Sequence, residues 1–106
     1  MPKFLILRFS SIGDIVLTTP VIRCLKTQVP EAVVHFATKI SYKTLLEHNP
    51  YVDKYFLLNS SDNELITQLK AEKYDYIIDL HNNLRTFKIK WKLGVKSFSF
   101  DKQNIN

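Results

Sequence analysis

Residues 3–13 have the sequence KFLILRFSSIG, an apolar run followed by a short polar turn. Its first seven residues show no clean alternation of apolar and polar side chains, which is typical of a strand covered on both faces. A helix is expected from about residue 14 to residue 28, because Leu17, Val21 and Leu25 are spaced by four. Pro20 either kinks that helix or lies in the first turn of a second one that Thr19 caps.

The same pattern, a short β-rich run and then a longer amphipathic run, continues along the chain. Further strands are predicted at residues 33–37, 54–58, 76–80 and 95–100. Helices are predicted at residues 41–48, from 61 or 62 to about 72, and at 84–93. Strict alternation predicts an α/β fold, a Rossmann-like open parallel sheet with helices on both faces.

Composition limits the class of protein. The 106 residues, 45% hydrophobic and 24% charged, are enough for one globular domain, so residues 1–106 are taken as a single unit. A single cysteine, Cys24, excludes an internal disulfide and a multi-cysteine zinc site, and it favours a reducing, cytoplasmic setting. The net charge of +5 permits an acidic substrate, an anionic membrane surface or nucleic acid, and selects none of them.

The first polar loop after a strand contains Ser10, Ser11, Gly13 and Asp14. With a strand order of 3-2-1-4-5, it lies at the switch between the first and fourth strands, where open sheets bind ligands. The two serines offer hydroxyls, and Gly13 permits close approach of the backbone. Asp14 is either a helix N-cap or a general base kept ionised by the helix dipole. The loop lacks the set of three glycines that marks a dinucleotide-binding fingerprint, so a nucleotide pyrophosphate is not the obvious ligand.

The second polar loop follows the fourth strand, and it supplies donors for hydroxyls and carboxylates from His81, Asn82, Asn83 and Arg85. Asn83 is equally suited to cap the next helix. Arg85 offers a planar fork to a carboxylate or phosphate, or is a surface residue of the first helical turn. Asp79, just before the loop, is expected to brace it through hydrogen bonds rather than to react.

The last predicted helix carries a basic stripe. The stripe consists of Arg85, Lys88, Lys92 and Lys96, with Lys90 nearby, and the other stripe is Leu84, Phe87 and Trp91. The basic stripe is either a solvated face or a surface for anionic lipid headgroups. His35 and His48 are expected to be structural, and neither has a partner at metal-ligand spacing, so no metal site is predicted.

Four ordered blocks carry a resemblance to a known family. They are residues 4–20, FLILRFSSIGDIVLTTP; residues 21–30, VIRCLKTQVP; residues 49–54, NPYVDK; and residues 74–85, YDYIIDLHNNLR. These blocks resemble the ADP-heptose:lipopolysaccharide heptosyltransferases, glycosyltransferase family 9, whose members begin with an apolar strand and S-S-x-G-D. Members are about three times longer, so the resemblance covers their N-terminal half.

The resemblance implies a GT-B architecture with two Rossmann-like domains. Heptose would move from ADP-heptose to a lipid A–Kdo acceptor with inversion and without a metal. No cofactor is implied, and the nucleotide-sugar donor would be bound mainly by a C-terminal domain absent from this chain. Asp14 would be the base, Arg85 would hold anionic groups of the lipid-linked acceptor, and Ser10, Ser11 and Gly13 would shape the loop of the base.

The resemblance also implies that the protein is located in the cytoplasm, with peripheral contact at the inner face of the bacterial inner membrane. The isolated chain is expected to be inactive, and to self-associate through apolar surface near Phe98 and Phe100. The chain departs from the family at His81-Asn82, where many members have Gln-Gly, which leaves the acceptor open.

The alternative is a non-catalytic, flavodoxin-like module that binds anionic sugars or lipids. Nucleic acid is not expected as a partner, because the basic helix has no recognised binding motif.

Overall fold

The computed structural model describes residues 1–9, 15–16, 18–47, 49–59 and 61–99. The strands are β1 (Lys3–Leu7), β2 (Val33–Lys39), β3 (Lys54–Leu58), β4 (Tyr76–Asp79) and β5 (Ser97–Ser99). The helices are α1 (Thr19–Gln28), α2 (Lys43–Leu46), α3 (Asp62–Glu72) and α4 (Leu84–Leu93), and a 3₁₀ turn, Ile40–Tyr42, precedes α2.

The five strands form one parallel sheet in the order β3-β2-β1-β4-β5. The most apolar strand, β1, lies in the centre, and its last residue, Leu7, pairs with Ala37 on one side and Asp79 on the other. This is the order that was assumed in placing the candidate site, so the switch point lies between β1 and β4.

Each face of the sheet has its own core. Leu5 and Leu7 pack with Leu65 and Leu69 of α3 and with Ile89 of α4. Because successive strand residues point to opposite faces, Ile6 belongs to the other core. There it packs with Ile22 of α1 and with Val34 and Phe36 of β2. Helices on both faces, as predicted, explain why β1 carries apolar side chains in both directions.

The first helix differs from the prediction at its start. α1 begins at Thr19 with Pro20 in its first turn, and its N-cap position is Thr18 rather than Thr19. The prediction of a second start is thus correct, whereas the predicted kink at Pro20 is wrong. A proline is tolerated in the first turn because that N–H has no partner inside the helix. The buried hydroxyl of Thr18 donates to the Ile15 carbonyl at 2.6 Å.

The middle of the chain contains less helix than predicted. β2 extends to Lys39, and the helix expected over residues 41–48 is the 3₁₀ turn followed by the single turn of α2. Neither short element has a side-chain N-cap, so nothing local favours a longer helix. His48 lies outside the described residues, and its expected structural role stays a prediction.

The boundaries of α3 and α4 agree with the prediction, because their caps are local. The Ser61 hydroxyl accepts from the Glu64 amide at 3.3 Å at the start of α3. α4 ends at Gly94, whose φ of 64° is the left-handed conformation that glycine adopts most easily. β5 begins at Ser97, two residues later than predicted, and Phe100 lies outside the described residues. In the described part of the chain, no helix is long and apolar enough to cross a membrane.

Candidate functional site

The ends of β1 and β4 lie side by side at the switch point. The Leu80 amide donates to the Leu7 carbonyl at 3.0 Å, and the Arg8 guanidinium donates to the Leu80 carbonyl. One residue further, the Phe9 and His81 rings meet edge to face with centroids 5.7 Å apart. The two loops that the sequence singles out therefore leave the sheet from adjacent positions.

The first of these loops falls on residues that the structure does not describe. Ser10, Ser11, Gly13 and Asp14 lie outside the described residues, so their roles stay predictions. The residue that directly precedes them in the chain, Phe9, is described. Phe9 is fully buried against the second loop.

Asp79 organises the second loop. Its carboxylate is fully buried at the end of β4, and one oxygen, Oδ1, accepts from the amides of His81 at 2.9 Å and Asn82 at 2.8 Å. The other oxygen, Oδ2, lies 3.0 Å from Lys90 Nζ. Two amides and an ammonium compensate the buried charge, and the predicted bracing role is confirmed.

The loop backbone accounts for Asn82. Its φ of 58° places it in the left-handed region, which residues other than glycine rarely adopt, although asparagine tolerates it. Glycine would adopt the same conformation without strain. Asparagine at position 82 is therefore compatible with the backbone of this loop.

Asn83 caps α4, one of the two roles considered for it. Its Oδ1 accepts from the Thr86 amide at 3.0 Å, and the Thr86 hydroxyl accepts from the Asn83 amide at 3.0 Å. This reciprocal pair is a capping box. The amide oxygen of Asn83 is therefore used by the helix, while its contact with a ligand stays a prediction.

Arg85 is held between two neighbours. Its Nε donates to Asp62 Oδ1 at 3.1 Å, and its guanidinium carbon lies 5.8 Å from the centre of the Phe9 ring. With 35% of its side-chain surface exposed, Arg85 is fixed in position yet open to solvent. A positioned, accessible guanidinium suits an anionic ligand better than a freely moving surface arginine.

A cavity of about 240 Å³ opens beside Arg85. It is lined by Lys39, Ile40, Ser41, Leu58, Asn59, Asp62 and Arg85. Lys39, Ser41 and Asn59 were not predicted as site residues from the sequence, and Asp62 was expected only at the start of α3. The available signal was topological, since Lys39 ends β2 and Asn59 follows β3 at the same edge of the sheet. The volume suits a charged group of a ligand rather than a whole oligosaccharide.

Lys90 lies beside the basic stripe of α4 and has a structural role. Its Nζ pairs with Asp79 and also donates to the Ser99 hydroxyl at 3.1 Å, so this lysine serves the loop and β5. The stripe of Leu84, Phe87 and Trp91 is exposed, whereas the buried residues of α4 are Thr86 and Ile89.

His35 has the structural role expected from the sequence. It is buried, and its Nδ1 lies 2.8 Å from the Tyr74 hydroxyl. Burial lowers the pKa of His35, and the neighbouring Glu72 only partly opposes the shift. Among the described residues, no group of three or more His, Cys, Asp or Glu side chains could hold a metal ion.

Two curated proteins resemble the chain in sequence. Lipopolysaccharide heptosyltransferase 1 of Campylobacter coli is 24% identical over 109 residues, which cover 97% of this chain and 32% of that protein. A putative glycosyltransferase of Haemophilus influenzae is 26% identical over 102 residues, which cover 91% and 29%. The chain thus spans about a third of the length of these relatives. No protein-family model matches it.

Solved structures share the fold. A glycosyl transferase family 9 protein from Veillonella parvula superposes with a TM-score of 0.85 at 24% identity, covering 92% of this chain and 32% of that one. The ADP-heptose lps heptosyltransferase II of E. coli gives a TM-score of 0.78 at 20% identity, covering 92% and 30%. The resemblance to glycosyltransferase family 9 inferred from the motifs is confirmed, and the α/β fold matches that of these heptosyltransferases.

Proposed function

We propose that residues 1–106 are the N-terminal, acceptor-binding domain of an inverting, metal-independent glycosyltransferase. The enzyme would transfer heptose from ADP-heptose to a lipid A–Kdo acceptor in the cytoplasm, at the inner membrane surface. The donor would be bound mainly by a C-terminal domain outside this chain, and no further cofactor is needed. The carrying observation is the contact of Phe9 with His81 and Arg85, because Phe9 directly precedes the first loop of the family motif and the other two residues belong to the second block.

Arg85 is suited to hold the acceptor. Its Nε is committed to Asp62, which leaves the terminal nitrogens of the guanidinium for a carboxylate or phosphate in the adjoining cavity. Lys39 lines the same cavity and adds a second positive charge. Kdo and phosphorylated lipid A supply groups of this kind. His81 and Asn82, in the loop that precedes α4, would provide donors for sugar hydroxyls.

Asp14 is the proposed general base. A sugar hydroxyl is a poor nucleophile until a base takes its proton as the new bond forms. In inverting transfer the hydroxyl oxygen bonds to the anomeric carbon, the bond from that carbon to the ADP oxygen breaks, and ADP leaves with the electron pair. The proton of the hydroxyl would pass to the Asp14 carboxylate, which needs no metal for this step.

Substitution of Asp14 tests the catalytic assignment in the protein that carries both domains. Asp14→Asn keeps the size and most of the capping ability but cannot accept a proton. We expect a normal melting temperature, near-normal KM values and a loss of about 10²–10⁴-fold in kcat. Unchanged turnover with a small loss of stability would leave Asp14 as an N-cap only. A parent protein that binds anionic sugars or lipids without any turnover would instead favour the non-catalytic, flavodoxin-like module.

Arg85→Ala in the same assay separates binding from chemistry. We expect weaker acceptor binding by about 1.5–3 kcal/mol, with the donor KM unchanged, because a charge-assisted pair is lost. Arg85→Lys restores only part of this, since an ammonium cannot make the planar two-point contact. An unchanged acceptor KM for the alanine variant would remove Arg85 from the site.

A further inference from the structure

The outer face of α4 carries an apolar ridge, formed by Leu84, Phe87 and Trp91. These side chains are 87%, 64% and 73% exposed. Their spacing of three and four residues places them in one line along the helix. Three large apolar side chains in one exposed line form a patch of the kind that marks an interaction site.

Positive charge flanks the ridge. Lys88 lies one helical turn from both Leu84 and Trp91, on the same side of the helix. Lys92 is exposed on the same helix, and residues 85–96 contain no aspartate or glutamate. A helix with Leu, Phe and Trp along one line and lysines beside it has the composition of helices that lie in the membrane interface.

The ridge is distinct from the other exposed aromatic side chain at this end of the chain, Phe98. Phe98 is also exposed, at 44%, but it pairs in register with Ile78, whose side chain packs on the α1 face of the sheet. Phe98 therefore points to the opposite face from α4. The ridge also has a defined position, because Leu84 follows the candidate site residues Asn82 and Asn83 directly.

We propose that the ridge of Leu84, Phe87 and Trp91, with Lys88 and Lys92, docks on an anionic lipid bilayer. The helix would lie parallel to the membrane, with the aromatic rings at the boundary between headgroups and acyl chains. The lysines would neutralise lipid phosphates, and this charge complementarity selects an anionic bilayer over a neutral surface. The inference deepens the proposed function and rests on it, because docking would bring the candidate site to the headgroup level of a lipid-linked acceptor.

Trp91 provides the direct measurement, since it is the only tryptophan of the chain. The 106-residue chain is titrated with vesicles of phosphatidylglycerol and phosphatidylcholine, and with vesicles of phosphatidylcholine alone. We expect a blue shift of Trp91 emission and co-sedimentation with the anionic vesicles only. Brominated acyl chains should quench the emission, and salt at about 0.5 M should weaken binding because it screens the lysines.

Variants separate the apolar and the electrostatic parts. Phe87→Ala and Leu84→Ala are each expected to lower vesicle partitioning about tenfold, because each removes a large apolar side chain from the contact. Lys88→Gln and Lys92→Gln should each lower it several-fold at low salt and have no effect at high salt. Phe98→Ala is the matched control and should bind like the parent chain. All these positions are exposed or partly exposed, and circular dichroism checks that each variant is folded.

Three results would overturn the inference. The first is that Trp91 emission does not respond to anionic vesicles. The second is that Phe98→Ala and Phe87→Ala lose vesicle binding equally. The third is that Trp91 emission is blue-shifted without vesicles and that this shift increases with protein concentration. The last would show that a second copy covers the ridge. In the protein that carries both domains, vesicle binding without heptose transfer would refute the proposed function alone, whereas transfer to a soluble acceptor without vesicle binding would refute this inference alone.

Discussion

The amino edge of the sheet, where the strands begin, differs from the carboxyl edge in how charged side chains are paired. At the amino edge, Glu72 accepts from Lys3 at 2.8 Å and from Lys54 at 3.2 Å. Nearby, Asp53 accepts from Lys26 at 2.9 Å and from the Val34 amide at 2.8 Å. Acids there meet lysines from distant elements, so their pairing ties strands and helices together.

At the carboxyl edge, the acids also hold groups of the candidate site. Asp79 fixes the amides of His81 and Asn82, and Asp62 fixes the guanidinium of Arg85. Asp62 and Arg85 also line an open cavity together with Lys39. The amino edge therefore ties the elements of the fold together, and the carboxyl edge carries the charged groups of the candidate site.

The pKa directions at the amino edge agree with a structural role. The hydrogen bond from Lys3 lowers the pKa of Glu72 more than its partial burial raises it. For Asp53, partial burial raises the pKa, but hydrogen bonds from Val34 and Lys26 outweigh it. Burial raises the pKa of Tyr74 above its ordinary value. The N-P-Y-V-D block, which ends at Asp53, thus has a structural explanation independent of substrate.

The largest difference in stability between the two edges is expected at Asp79. Asp79→Ala should lower the free energy of unfolding by about 3 kcal/mol, because it removes a buried acceptor of two amides and the partner of Lys90. Glu72→Ala at the other edge should cost about 1 kcal/mol, because its lysine partners can return to water. Urea denaturation of both variants measures the difference.

Asp79→Asn is the control for the size of the side chain. It keeps an oxygen for the two loop amides but cannot form an ion pair with Lys90. Its free energy of unfolding should therefore lie between those of Asp79→Ala and the parent chain. Equal losses for Asp79→Ala and Glu72→Ala would contradict the contrast between the edges.

A smaller effect is expected from acid at the amino edge. Because the pKa of His35 is lowered from 6.5 in the folded chain, the unfolded chain takes up the proton first as the pH falls. Stability should therefore be level above neutrality and decrease as the pH drops below about 6.5. The melting temperature, measured by circular dichroism between about pH 7.5 and about pH 5, reports this slope.

His35→Gln should remove much of that slope, whatever it does to the melting temperature at neutral pH. Glu72 and Asp53 do not interfere, because a lowered carboxyl pKa costs stability only below the ordinary values of 4.5 and 3.8. Identical slopes in the parent chain and in His35→Gln would mean that His35 does not control the acid response.

The smallest effect concerns one left-handed residue at each edge. Lys73, at the end of α3, has a φ of 57°, and Asn82 has a φ of 58°. Lys73→Gly should stabilise the fold by up to about 1 kcal/mol, because glycine removes the left-handed strain. Asn82→Gly should be nearly neutral, since asparagine already tolerates this region. Thermal unfolding of both variants checks the order, and a larger gain from Asn82→Gly would reverse it.

The sequence by itself determined the alternation of strands and helices, the bounds of β3, α3 and α4, and the similarity to glycosyltransferase family 9. These features depend on local signals, namely apolar runs, the Ser61 and Asn83 caps and the stop at Gly94. It also identified the two loops of the candidate site, because topology places the ends of β1 and β4 together.

The tertiary structure alone decided which side chains meet. Nothing local in the sequence pairs Arg85 with Asp62, 23 residues away, or places Lys39 beside them. Likewise, Leu84, Phe87 and Trp91 have a spacing that serves equally for a buried or an exposed stripe, and the packing of Thr86 and Ile89 on the sheet turned them to the surface. Helical periodicity defines a face, but only the packed neighbours determine which face is buried.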